Sequence, residues 1–146
     1  MTNKLYVFLV EDNPDDEEFA RRALHSSLES IELVIAHDGE EATKMLFDPK
    51  QEHYFARIPK LIILDLKLPK LNGIDVLKLI RSNARTRDIP VIIFSSSTME
   101  EDIQSSYRFG ANGYVCKPVE FSRFCNALQQ LSKYWLMLNR TPNSLL

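Results

Sequence analysis

Leu61-Ile-Ile-Leu64 runs straight into Asp65-Leu-Lys-Leu-Pro69. Four apolar residues with no polar residue among them read as a strand covered on both faces, the pattern of a parallel sheet. The run ends on a carboxylate, and in open α/β sheets ligands bind at the carboxyl ends of the strands. Working outward, four more runs share the pattern: Leu5-Tyr-Val-Phe-Leu-Val10, Ile31-Glu-Leu-Val-Ile-Ala36, Val91-Ile-Ile-Phe94 and the weaker Gly113-Tyr-Val-Cys116. Helical spacing fills the intervals, over 14–27, 40–48, 73–81, 99–109 and 121–138. Pro14 suits a first helical turn. Strand and helix therefore alternate five times. That predicts an α/β fold, a (βα)5 doubly wound, five-stranded parallel sheet in the order 2-1-3-4-5 with right-handed crossovers.

The remaining composition agrees with one globular unit. The chain has 146 residues, 45% hydrophobic and 26% charged, with 4 Gly and 7 Pro, which excludes a disordered or fibrous protein. Eighteen Lys and Arg stand against twenty Asp and Glu. There is no basic excess of the kind a nucleic-acid binder shows, so no nucleic-acid partner is expected. Cys116 and Cys125 have neither disulfide-framework nor zinc spacing, which favours a reducing, cytoplasmic setting. The longest apolar run is far too short to span a membrane. Residues 49–60 form one long connection whose aromatics point to an ordered insertion. Residues 1–138 read as the folded domain, and 139–146 as a tail that frays, with no output domain after it.

The polar residues that follow the strands carry the chemistry. Glu11-Asp12-Asn13 follows the first strand, Asp65 the third, Ser95-Ser96-Ser97 the fourth and Lys117-Pro118 the fifth. The predicted strand order brings Glu11, Asp12, Asp65, Ser95 and Lys117 to one edge. Three carboxylates so close repel one another unless a cation lies among them. All-oxygen ligands favour Mg2+ or a similar hard cation. With Lys117 and a serine hydroxyl beside them, the arrangement suits a carboxylate that accepts a phosphoryl group. Taken singly, each residue has a plain alternative. Asp12 could be a helix cap, the serines could cap the fourth helix, and Lys117 could be a solvated surface lysine. Their coincidence at four strand ends is what favours a site.

These pieces together resemble the receiver domain of two-component response regulators. The matching segments are Val10-Glu-Asp-Asn13, Leu64-Asp-Leu-Lys-Leu-Pro69 with Asn72-Gly73, Pro90-Val-Ile-Ile-Phe-Ser-Ser96 and Gly113-Tyr-Val-Cys-Lys-Pro118. The resemblance implies a flavodoxin-like receiver fold with Asp65 as phosphoacceptor. It also implies Mg2+ held by Glu11, Asp12, Asp65 and the backbone carbonyl of Lys67. Ser95, Ser96 and Lys117 are the implied phosphoryl contacts, and Ser95 with Tyr114 the implied switch. A cis Lys117–Pro118 bond is implied too, and Lys67 and Ser97 would flank the approach to the acceptor. Asn13-Pro-Asp-Asp16, Asp65-Leu-Lys-Leu-Pro-Lys70, the 49–60 loop and Tyr134-Trp135 further resemble the single-domain receivers that partner cyanobacterial phytochrome kinases. The implied partners are a sensor histidine kinase, a phytochrome among the candidates, and a downstream protein or histidine phosphotransfer protein. The implied protein is a phosphoacceptor and not an enzyme acting on a separate substrate.

Three rivals are weaker. An aspartyl-phosphate phosphatase needs a second aspartate two positions after its nucleophile, where this chain has Lys67. A flavin or nucleotide binder needs a phosphate-cradling loop after the first strand, where this chain has Glu-Asp-Asn-Pro. A degenerate receiver that only binds proteins would lack key residues, and here all five positions are filled. Finally, at 100° per residue Phe121, Phe124, Cys125, Leu128 and Trp135 form a core stripe on the fifth helix. Ala127, Leu131, Tyr134 and Leu138 form an adjoining stripe that predicts a homodimer interface through Leu131, Tyr134 and Leu138.

Overall fold

The sheet is built around β3 (Leu61–Leu64), every residue of which is buried. In the computed structural model, which describes residues 5–27, 31–51 and 57–142, β3 lies between β1 (Leu5–Val10) and β4 (Val91–Ser95). β2 (Ile31–Ala36) and β5 (Gly113–Cys116) form the edges. The order is β2-β1-β3-β4-β5 and every pairing is parallel, as the alternation of elements predicts. The helices are α1 (Pro14–Ser27), α2 (Gly39–Phe47), α3 (Gly73–Ser82), α4 (Glu100–Arg108) and α5 (Phe121–Lys133), and a π-helical turn (Tyr134–Leu138) continues α5.

The near-continuous apolar strands are explained by two cores, one on each face. Phe8, Val10, Ile62, Leu64 and Ile93 pack with Ala42, Met45 and Leu46 of α2 and Val76, Leu77 and Ile80 of α3. The alternate residues Val7, Leu9, Leu61, Ile63, Ile92 and Phe94 pack with Ala20, Ala23 and Leu24 of α1 and Phe124 and Leu128 of α5. A strand with helices on both sides has no wet face and no reason to alternate. α4 is the exception among the helices, since Ser106 is its one buried residue.

Backbone geometry below the carboxyl edge is closely fitted. Asn72 caps α3 by accepting from the Asp75 amide at 3.0 Å. Gly73, next in the chain, packs so tightly that a Cβ there would lie 2.2 Å from the Asp65 carbonyl oxygen. No other residue fits without displacing the loop that carries Asp65. On the opposite side, Arg81 ties three segments together. Its Nε donates to the Gly110 carbonyl at 2.8 Å, its Nη1 to the Arg87 and Ile89 carbonyls at 3.0 and 2.7 Å, and its Nη2 to Asn112 Oδ1 at 2.7 Å. We expect Arg81→Ala to cost about 2–3 kcal/mol, because four acceptors lose a charged donor. Arg81→Lys should restore little, since one ammonium lacks the fork. Denaturant midpoints at unchanged slope will measure both.

Three expectations about α5 are corrected. The helix does not run regularly to Leu138, because the π-helical turn inserts one extra residue into the repeat. Beyond Lys133 the inward position falls on Leu136, which is 2% exposed, while Trp135 packs only partly against the core. Leu131 is buried in the core and not part of an outward stripe, and Phe121, assigned to the core, is 41% exposed. The Lys117–Pro118 bond is trans, as no cis bond occurs among the described residues. The Lys117 amide reaches the Ser95 carbonyl and its ammonium reaches the acidic cluster in this form, and trans is the favoured isomer even before proline. Residues 52–56 of the 49–60 insertion and 143–146 of the tail lie outside the described residues.

Candidate functional site

Three of the strand-end residues are fixed by hydrogen bonds that continue the ladder one step past the strands. The Glu11 amide donates to the Ala36 carbonyl at 2.9 Å, the Asp65 amide to Val10 at 3.1 Å and the Lys117 amide to Ser95 at 2.8 Å. Their side chains therefore leave the sheet from one rigid edge. Glu11 and Asp65 are buried and Asp12 is exposed, yet all three offer a carboxylate oxygen within 4.8 Å of the others. Two enclosed oxygens and one solvent-facing oxygen form a donor set that suits a hard divalent cation. The backbone of Lys67 also belongs to this edge, and its amide donates to Asp65 Oδ1 at 3.4 Å.

The lysine at the end of β5 closes the cluster. Lys117 Nζ lies 2.5 Å from Glu11 Oε1, 2.8 Å from Asp65 Oδ2 and 3.0 Å from Asp16 Oδ2. Its side chain is 8% exposed. Burial pushes the Glu11 carboxyl up to about 7 against the opposing pull of Lys117. Burial also works against the Lys117 ammonium, but the charges of Asp65 and Glu11 win and hold its pKa above the ordinary lysine value. The sequence reading missed Asp16. An acidic residue in a first helical turn favours the helix dipole in any protein, and nothing local marks this one as aimed at a lysine 101 positions away.

Of the three serines at the end of β4, strand parity buries Ser95 and Ser97 and leaves Ser96 exposed. Ser97, not Ser96, is thus the second inward serine. Its hydroxyl donates to Asp102 Oδ2 of α4 at 2.5 Å, and its carbonyl accepts the Tyr114 hydroxyl at 2.9 Å. Its amide donates to Ser95 Oγ at 3.3 Å. Ser95 and Tyr114 are therefore connected through Ser97. Burial raises the Tyr114 hydroxyl above its ordinary value, with the neighbouring Cys116 and Asp102 side chains adding to the effect against hydrogen bonds to Ser97 and Ser95. Tyr134 and Leu138 of the expected interface are exposed at 48% and 72%.

Residues 7–129 match the family described as response regulator receiver domain. The chain belongs to that family. This receiver is 33% identical over 130 residues to the response regulator Rcp1 of Synechocystis sp., covering 89% of this chain and 88% of Rcp1. It is 32% identical over 136 residues to the probable methanogenesis regulatory protein FilR2 of Methanothrix harundinacea, covering 93% and 86%. Among solved structures, the phosphorylated cyanobacterial phytochrome response regulator RcpA superposes with a TM-score of 0.90 at 36% identity, covering 96% of this chain and 99% of RcpA. Rcp1 has also been solved in a Mn2+-bound form, which superposes with a TM-score of 0.86 at 32% identity, covering 94% of this chain and 99% of that one. The receiver is thus a response regulator of two-component signalling, similar to regulators of the phytochrome type.

Proposed function

We propose that this receiver accepts a phosphoryl group on Asp65 from a sensor histidine kinase, with Mg2+ bound beside the acceptor, and acts in the cytoplasm as a signalling acceptor with no separate substrate. The observation that carries this reading is the Lys117 ammonium joining the buried Asp65 and Glu11 carboxylates within 2.8 Å, in a cluster with Asp12 that suits a cation. An Asp65 carboxylate oxygen would form the new O–P bond as the P–N bond of a phosphohistidine breaks and the imidazole leaves with the electron pair. Lys117 supplies positive charge at the oxygens of the group in transit, and the Ser95 hydroxyl is a donor for one of them. Glu11, Asp12, Asp65 and the Lys67 backbone would hold the ion, whose chemistry is to offset charge on the transferred oxygens.

A phytochrome is the favoured kinase, because the RcpA and Rcp1 likenesses span nearly the whole chain. The output in this reading is a change in the segment joining Ser95, Ser97 and Tyr114, delivered to a downstream protein or to a second copy of the chain. For a second copy, Tyr134 and Leu138 remain available at the surface, and Leu131 does not.

Mg2+ tests the pocket directly. A cation that binds only the folded site stabilises it by mass action. Millimolar Mg2+ should raise the melting temperature by several degrees, and Asp12→Asn should reduce that shift. A parent melting curve unmoved by Mg2+ would refute the pocket. Light scattering on the same samples, with and without phosphodonor, reads whether a second copy is recruited.

A further inference from the structure

We infer that Asp16 is a positioning residue for phosphoryl transfer, holding the Lys117 ammonium at the acceptor while the other two partners of that ammonium change theirs. The inference rests on Asp65 being the acceptor. An ammonium has three N–H donors, and here each meets a different carboxylate, on Glu11, Asp16 and Asp65. Two of these have a second claim on them. Glu11 belongs to the acidic trio with Asp12 and Asp65, and Asp65 is the residue that reacts. Asp16 is outside that trio and has no such claim, so its contact with Lys117 is the one that can persist unchanged through the cycle.

Asp16 is itself firmly placed. Asn13 Oδ1 accepts from the Asp15 and Asp16 amides at 2.9 and 3.1 Å, which fixes the first turn of α1 and with it the Asp16 backbone. The Asp16 side chain is 23% exposed. Water could therefore replace part of the contact, and that limits the expected effect to about tenfold, less than a fully enclosed charged hydrogen bond would give.

The test compares Asp16→Ala and Asp16→Asn with the parent in Mg2+-dependent uptake from a saturating small phosphodonor such as phosphoramidate. Asparagine keeps an oxygen where the ammonium needs it, and alanine does not. We expect uptake to be about tenfold slower for the alanine variant and within about twofold of the parent for the asparagine variant. The Lys117 ammonium protons, followed by 15N NMR, should exchange faster with water in the alanine variant alone. The thermal shift produced by Mg2+ should stay the same in all three. Should the alanine variant not fold, Asp16→Ser, whose hydroxyl is too short to reach Nζ, takes its place. Alanine uptake equal to or faster than the parent's overturns the inference, and so does an asparagine variant as slow as the alanine one. A parent that takes up nothing, like Asp65→Asn, overturns the acceptor reading and this inference with it.

Discussion

Asp65→Asn should take up no phosphoryl group under conditions that saturate the parent, while remaining fully folded. The amide fills the same volume but has no anionic oxygen to attack phosphorus. Its oxygen can still accept from Lys117, which in the parent lies 2.8 Å from Asp65 Oδ2. Removing one charge from a site where Glu11, Asp12 and Asp65 crowd together also relieves repulsion. We therefore expect a melting temperature equal to or above the parent's. Intact-mass measurement before and after exposure to phosphodonor and Mg2+ reads the uptake. Undiminished labelling of the variant would assign the acceptor to another residue.

Lys117→Met should give the largest loss of stability of the substitutions considered. It removes the one cation that, among the described residues, meets Glu11, Asp16 and Asp65, and puts an apolar chain in its place. Breaking a buried ion pair from one side costs about 3–5 kcal/mol, a drop of roughly 10 °C for a chain of this length. The loss should depend on pH in a defined direction. In the parent, the Glu11 pKa is raised from 4.5 to about 7, so the folded state holds that proton more tightly than the unfolded state does. The stability this confers is complete below about 4.5 and is lost as the pH rises to about 7. The Lys117 pKa is raised above 10.5, so its contribution is complete up to that pH and lost only beyond it. Without the lysine, three carboxylates face one another as they ionise. The gap between parent and variant should widen as the pH rises through neutrality and narrow toward pH 5. Melting curves in metal-free buffer across that range will measure it, and a gap independent of pH would show that the lysine does not balance these acids.

How much of this was legible in the sequence depends on whether a residue's place is set locally. Asp65 could be read because an apolar strand with no polar interruption has one exit, and its next residue must sit at the ligand edge. Glu11 and Lys117 followed by the same reasoning once the strand order was inferred. Asp16 could not be read that way, since its partner is distant in the chain and its position has an ordinary explanation. Ser97 was read only as flanking the approach to the acceptor; its buried link to Tyr114 was hidden by the triplet Ser95–Ser97, where residue type is uninformative and only strand parity shows which hydroxyls face inward. Leu136, the inward residue of the last turn, was missed because a fixed 100° step presumes a regular helix, whereas Leu131, in the regular part of α5, lies about 20° from Phe124 on that same wheel and was simply grouped with the wrong stripe. The π-helical turn at Tyr134–Leu138 changes the phase, and nothing in Tyr-Trp-Leu-Met-Leu announces it.

The shallow seating of α4 has a thermodynamic consequence. α1, α2, α3 and α5 each place apolar side chains in one of the two cores, so none can leave without exposing a large apolar area. α4 buries only Ser106, whose hydroxyl is satisfied within the helix by the Asp102 carbonyl at 2.7 Å. Its departure would cost the Ser97–Asp102 hydrogen bond and little hydrophobic burial. We therefore expect α4 to open locally at a free energy below that of global unfolding, which amide hydrogen exchange would read. A perturbation at Ser97 of only one or two hydrogen bonds is then comparable with what holds this helix in place. The same perturbation would be negligible against the energy that holds the rest of the fold.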